Sequence, residues 1–147
     1  QGISDHAKLQ IVLNAVEKGS NPWGCTDYLN QKKKILETGA DVYELMNDYP
    51  VHTKAVLIDN RLSVVGSYNL DMRSTYLDTE LMLVIDSEKL SQQIHETESD
   101  YMEKSKEALA NGQETEGAKY QGKVLNWKKK LYYGVLRIII RPLRQLL

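Results

Sequence analysis

Apolar residues in this chain fall mostly into short runs, several of them alternating with polar ones. Leu9, Ile11, Val12 and Leu13 crowd "KLQIVLNA" (8–15) and predict a strand, and "DVYELM" (41–46) predicts a second. "HTKAVLID" (52–59) and "RLSVVGSYN" (61–69) predict two more, joined by a tight turn at "DNR". "TELMLVID" (79–86) is apolar at successive positions, so it is expected as a central strand covered on both faces.

Helical spacing appears in three places. "DYLNQKKKILETGA" (27–40) puts Tyr28, Leu29, Ile35 and Leu36 on one side, and Gly39 is a natural stop after a loop around Pro22 and Gly24. "SEKLSQQIHETESDYMEKSKEALA" (87–110) predicts a long charged helix, followed by a polar linker, "NGQETEGA" (111–118). The sequence therefore predicts an α/β fold, a mixed β-sheet flanked by helices over 1–110. A linker at 111–118 and an amphipathic tail over 119–147 complete the expected organisation.

The tail changes the picture of charge. The net charge is −1, but residues 119–147 hold eight Lys and Arg and no acid, leaving 11 basic and 20 acidic residues before them, a net of −9. An acidic body argues against a nucleic-acid partner, which needs a basic groove, and a cationic tail argues for an anionic surface. Lys130, Gly134, Arg137, Arg141 and Arg144 recur at intervals of four, three, four and three, a basic stripe. Tyr132, Val135, Ile139, Leu143 and Leu146 lie on another side. Lys128, Lys129, Lys130, Arg137, Arg141 and Arg144 are the expected membrane-binding residues of a helix that lies in the interface rather than spanning it. At 41 % hydrophobic and 27 % charged the composition is that of a globular protein, and the single Cys25 excludes an internal disulfide.

The candidate chemistry sits on the two strands around "DNR". Strand alternation points His52 and Lys54 one way, and Ser67 and Asn69 share a side of the next strand. If the turn pairs these strands, all four converge on one spot. An imidazole attacks phosphorus or shuttles a proton, and an ammonium neutralises a phosphoryl oxygen. A hydroxyl and an amide add directional donors. Gly66 leaves room beside them for backbone or ligand. No cluster of His, Asp and Glu has metal-ligand spacing, so a route without metal or cofactor is expected.

The spacing His-x-Lys, four residues, Asp, six residues, Gly-Ser-x-Asn is met without departure by His52, Lys54, Asp59, Gly66, Ser67 and Asn69. Six fixed positions match by chance on the order of 10⁻⁸ per window. The pattern resembles the HKD motif of the phospholipase D superfamily. "NLDMRSTYLDTEL" and "NPWGCTDYLNQKKKILETGADVYEL" are similar to segments of bacterial cardiolipin synthases around and before the second motif, the C-terminal half.

The resemblance implies phosphatidyl transfer through a phosphohistidine intermediate. His52 is implied as a catalytic histidine, the general acid and base, with Lys54 and Asn69 gripping phosphoryl oxygens and Ser67 assisting. Glu80 is implied as the acid that bonds the histidine, and Asp59 and Gly66 as structural. Two such motifs make one site, so the chain is expected to supply half. The other half would come from upstream in a longer chain or from a homodimer partner. Implied partners are an anionic phospholipid substrate and the bacterial cytoplasmic membrane. The alternatives are a metal-independent phosphodiesterase or nuclease of the same superfamily, and an inactive membrane-docking fragment. Around the motif, Asp71 and Arg73 suggest either headgroup contacts or a loop salt bridge. The run "QKKK" (31–34) suggests a solvated helix face, and His6 and His95 suggest surface positions.

Overall fold

The computed structural model describes residues 7–109, 111–122 and 124–143. Its elements are β1 (Gln10–Asn14), α1 (Pro22–Leu36), β2 (Asp41–Leu45), β3 (Ala55–Ile58), β4 (Leu62–Gly66) and α2 (Met72–Tyr76). They continue as β5 (Met82–Asp86), α3 (Glu88–Glu103), β6 (Ser105–Ala108), β7 (Glu114–Glu116) and α4 (Trp127–Leu143). The fold is α/β, as the sequence predicts. The described residues of Gln1–Val51 and Tyr101–Arg141 form one compact unit, and those of His52–Asp100 with Pro142–Leu147 a second.

The first unit holds a four-stranded mixed sheet in the order β1-β2-β6-β7, with β1 and β2 parallel and the other pairs antiparallel. Its core is Ala15, Val16, Ala40, Val42, Leu45, Met46 and Ala108, joined by Tyr133, Leu136 and Ile140 of α4. α1 begins earlier than the sequence suggests. Asn21 caps it by accepting from the Trp23 and Gly24 amides (3.0 and 3.3 Å), and Pro22 sits in the first turn, where its missing N–H costs nothing. Gly39, at φ +85°, then turns the chain into β2.

Two expectations in this unit are corrected. The predicted helix over 87–110 stops at Glu103, and Ser105–Ala108 is strand β6 on the free edge of β2. Local propensity loses here to pairing: Ala108 is buried opposite Val42, and Lys106 reaches Glu44 and Glu114. The stretch read as a linker at 111–118 instead folds back, and its Glu114–Glu116 pairs with β6 as β7.

Glu44 ties this unit together. Its carboxylate, buried on β2, accepts from Tyr28 Oη (2.7 Å) and Lys32 Nζ (2.8 Å) of α1 and pairs with Lys106 of β6 (3.3 Å). Burial acts to raise its pKa, but the Lys32 and Tyr28 hydrogen bonds and the two ammonium charges outweigh that and hold it below the usual carboxylate range. Lys32 is therefore not part of a solvated face; it also reaches Glu114 at 3.4 Å.

The second unit holds an antiparallel sheet in the order β3-β4-β5. β5 is thus an edge strand of this sheet, not a central one, and Leu83 and Val84 on it are exposed. Asp59 and Asn60 make the β3–β4 connection with φ of 50° and 54°, and Arg61 N–H donates to the Ile58 carbonyl at 3.1 Å. Positive φ at both central residues is the type I′ geometry that matches strand twist, and Asp and Asn tolerate it best after glycine.

Candidate active site

All five candidate catalytic side chains belong to the second unit and gather around the end of the hairpin away from its turn. Neither His52 nor Lys54 is inside a strand, as the sequence reading had it; both lie in the extended segment that leads into β3. Ser67 and Asn69 likewise follow β4. The register sets the convergence. Ala55 pairs with Val65, and Gly66 N–H donates to the Lys54 carbonyl at 3.2 Å, so the residues just before β3 and just after β4 are neighbours.

Within this end the Lys54 ammonium donates to His52 Nε2 at 2.5 Å and to the His52 carbonyl at 3.3 Å. In that contact Nε2 is the unprotonated ring nitrogen, the form that accepts a proton or attacks an electrophile. A phosphate arriving at the site would offer Lys54 a charge-assisted acceptor in place of the ring and free Nε2 for proton transfer.

The carboxylate of Glu80 is engaged differently from expectation. It accepts a short hydrogen bond from Ser67 Oγ, and among the described residues no bond joins it to His52. Ser67 and Ser74 hydroxyls, with Lys54 nearby, hold Glu80 below the usual carboxylate range. Ser67 Oγ in turn accepts from Leu81 N–H at 3.1 Å. Its one proton is therefore given to Glu80, and it has no donor left for a phosphoryl oxygen while Glu80 is ionised. In this arrangement Ser67 positions Glu80 rather than gripping the substrate.

Asn69 donates its amide to Ser74 Oγ at 3.3 Å, and its backbone N–H points to the same oxygen. Ser74, buried on α2, was not singled out from the sequence, yet it links Asn69 to Glu80. Its position is set by Asp71, which caps α2 by accepting from Ser74 N–H at 2.7 Å. An Asp three residues before a Ser at the start of a helix is the readable signal. Arg73 forms a salt bridge, from α2 rather than from a loop, with Nε 2.9 Å from Asp78.

Gly66 is required by the backbone beside it. A Cβ there would overlap the Leu81 carbonyl oxygen and sit 2.9 Å from Met82 Cα, where β5 crosses. Asp59 stands in the turn at the other end of β3. Five residue steps at ~3.3 Å each carry the chain from Lys54 to Asp59, roughly 16 Å, which places Asp59 away from the other motif residues, as a structural position would be. His95 is exposed on α3, as expected, and His6 lies outside the described residues.

In the tail, α4 forms as predicted and Pro142 falls near its end. Arg137 does not face outward unpaired: it donates to Asn30 Oδ1 (2.9 Å) and the Leu29 carbonyl (3.4 Å) of α1. Lys128, Lys129, Lys130 and Arg141 are exposed, and Arg144 lies outside the described residues.

The candidate catalytic residues thus meet at the open end of one hairpin, and that hairpin lies within a stretch that matches a known family. Residues 4–101 match the family described as cardiolipin synthase, PLD-like domain. The chain belongs to that family. It is similar to cardiolipin synthase A of Proteus mirabilis, 43 % identical over 72 residues, which is 49 % of this chain and 15 % of that protein. Cardiolipin synthase A of Buchnera aphidicola is 38 % identical over 73 residues, 50 % of this chain and 15 % of that one. For the Serratia proteamaculans protein the figures are 37 % over 83 residues, 56 % and 16 %. The chain therefore spans about a sixth of the length of these curated relatives.

Proposed function

We propose that this chain supplies one half of a cardiolipin-synthase-like active site, which moves a phosphatidyl group between anionic glycerophospholipids through a phosphohistidine. The observation that carries the reading is the gathering of His52, Lys54, Asn69 and the Ser67–Glu80 pair at one end of the β3–β4 hairpin in a chain of this family.

In the first step an imidazole nitrogen of the complementary motif attacks the phosphorus of a bound phosphatidyl donor. A P–N bond forms, the P–O bond to the departing glycerol breaks, and His52, which enters this step as the imidazolium once Lys54 has turned from its ring to the phosphate, gives the leaving oxygen a proton and is left neutral. In the second, His52 takes the proton of an incoming alcohol, whose oxygen attacks phosphorus and breaks the P–N bond. Lys54 and Asn69 hold the non-bridging oxygens, where negative charge builds up. Both substrates lie in a bilayer, so the reaction belongs at the bacterial cytoplasmic membrane.

Support for the half-site role comes from the sheet that carries the motif. Val56, Val64 and Val84 stand in register on one face, with Val56 52 % and Val84 70 % exposed. An apolar face of this kind suits cover by a second motif-bearing segment, from upstream in a longer chain or from another copy.

Transfer between phosphatidylglycerol molecules, measured on the protein that carries this chain, tests the reading. His52→Ala should lower the rate by several orders of magnitude, while the isolated 147-residue chain should be inactive. Equal rates for the native and His52→Ala proteins would refute the assignment. Cleavage of labelled DNA or RNA with no phosphatidyl transfer would move the substrate class to nucleic acid.

A further inference from the structure

The helix α4 has two apolar faces, and only one is used by the fold. Tyr133, Leu136 and Ile140, spaced three and four apart, are buried in the first unit. Tyr133 packs beside Cys25 of α1, and Arg137 and Asn30 exchange hydrogen bonds, so the orientation of α4 about its own axis is fixed. The opposite side carries a second stripe, Leu131, Val135 and Ile138, with Trp127 at its start and Tyr132 and Ile139 along its edge. All six are exposed, Leu131 at 62 % and Ile138 at 72 %. A helix that needed only to close the core would have polar residues there.

The charge around this stripe is of one sign. α4 contains Lys128, Lys129, Lys130, Arg137 and Arg141 and no acid. Lys130, Arg137 and Arg141 run along one flank of the exposed stripe, and Lys128 and Lys129 cluster at the N-terminal end, where Lys128 Nζ lies 5.8 Å from the Trp127 ring centroid. Among the described residues no helix is long and apolar enough to cross a membrane. A cationic flank beside an open aliphatic stripe ending in an indole complements a surface that is anionic outside and hydrocarbon beneath.

We propose that α4 docks the chain on an anionic bilayer, lying in the headgroup plane with Leu131, Val135 and Ile138 in the acyl boundary and Trp127 at its edge. Lys128, Lys130 and Arg141 face the phosphates, while Lys129, one turn before the buried Tyr133, lies on the core side of the helix. Arg137 contributes chiefly by holding α4 to α1, so that the stripe stays turned outward. The docking is independent of the phosphoryl chemistry and does not require the second motif.

The test uses the whole chain carrying Trp23→Phe, which leaves Trp127 as the only tryptophan. It is titrated with vesicles of phosphatidylglycerol and phosphatidylcholine in equal parts, and with phosphatidylcholine alone. With the anionic vesicles, Trp127 emission should shift to the blue and be quenched by brominated acyl chains. Leu131→Glu with Ile138→Glu should weaken binding by about ten-fold or more. Lys130→Gln and Arg141→Gln should each weaken it about five-fold, with less dependence on salt. All four positions are exposed, so circular dichroism and Tm should not change.

An unmoved Trp127 spectrum, or equal binding by the Leu131→Glu/Ile138→Glu protein, overturns the proposal. So does a native dimer that this pair of substitutions dissolves while neither protein binds vesicles, because the stripe would then seat a second copy.

Discussion

Replacing Glu44 by Gln should lower the stability of the first unit by about 2 kcal/mol near neutral pH. Gln keeps the shape and one acceptor oxygen but removes the charge that Lys32 and Lys106 share. Two charge-assisted contacts are weakened, each worth ~1.5–3 kcal/mol when well buried. The Glu44 side chain is only 9 % exposed, but Lys32 and Lys106 are 22 % and 28 % exposed and both keep Glu114, so about half of the full loss is expected. For a unit of this size that corresponds to a fall in Tm of about 10 °C.

The pH dependence carries its own sign. Glu44 has a folded pKa below its unfolded value, so its stabilisation is complete above the unfolded pKa of ~4.3 and is lost as pH falls through the folded one. Burial would lower the pKa of Lys106, but the Glu44 and Glu114 charges raise it overall; burial and the Glu44 charge raise that of Tyr28. The stabilisation tied to these two is present below ~pH 10 and is lost as pH rises through their folded values. The gap between native and Glu44→Gln proteins should therefore be flat from about pH 5 to 9 and narrow on both sides. Urea unfolding at several pH values measures it. A gap under about 0.5 kcal/mol at pH 7, or one that persists undiminished at pH 2, would refute the argument.

Two further substitutions probe the motif-bearing unit. Asn60→Gly should stabilise it by about 0.5–1 kcal/mol in urea unfolding, because Asn60 sits at φ 54° in a type I′ turn where glycine carries no Cβ penalty. Ser67→Ala removes the foremost group that lowers the Glu80 pKa, so the acid limb of the pH–rate profile for phosphatidyl transfer should move to higher pH with His52 still in place. An acid limb that stays where it was would mean that Glu80 is not the group being titrated.

The elements that the sequence made legible are those whose own pattern decides them. β1, β2 and the hairpin announce themselves through Val, Leu and Ile, and α4 through its spacing. The failures share one cause. Ser105–Ala108 has neither strand composition nor apolar alternation, and becomes β6 only because β2 has an edge to pair with. β5 reads as buried because Met82, Leu83, Val84 and Ile85 are apolar, yet hydrophobicity reports what a strand can bury and not what it meets. Lys32 looked solvated because its partner Glu44 lies twelve residues away and on a strand. The engagement of Ser67 by Glu80, and of Asn69 by Ser74, likewise depends on contacts across β5 and α2 that no spacing in the motif encodes.

What the motif does encode is a hairpin. The four residues between Lys54 and Asp59 are the four of β3, and the six between Asp59 and Gly66 are Asn60 and Arg61, which complete the turn, and residues 62–65 of β4. The candidate catalytic groups are fixed points at the open end of a two-stranded ruler whose length is set by Asp59 and Asn60 at the other. A single residue inserted into either strand would slip the register by one and swing Ser67 and Asn69 away from His52. That is why an acid about 16 Å from the chemistry belongs to the pattern. Gly66 belongs for a related reason: β5 must close against the ruler's end to bring Glu80 to Ser67, and any side chain there would hold it off. The invariants of the spacing are thus mechanical before they are chemical, and the chemistry follows from which side chains the geometry leaves facing one another.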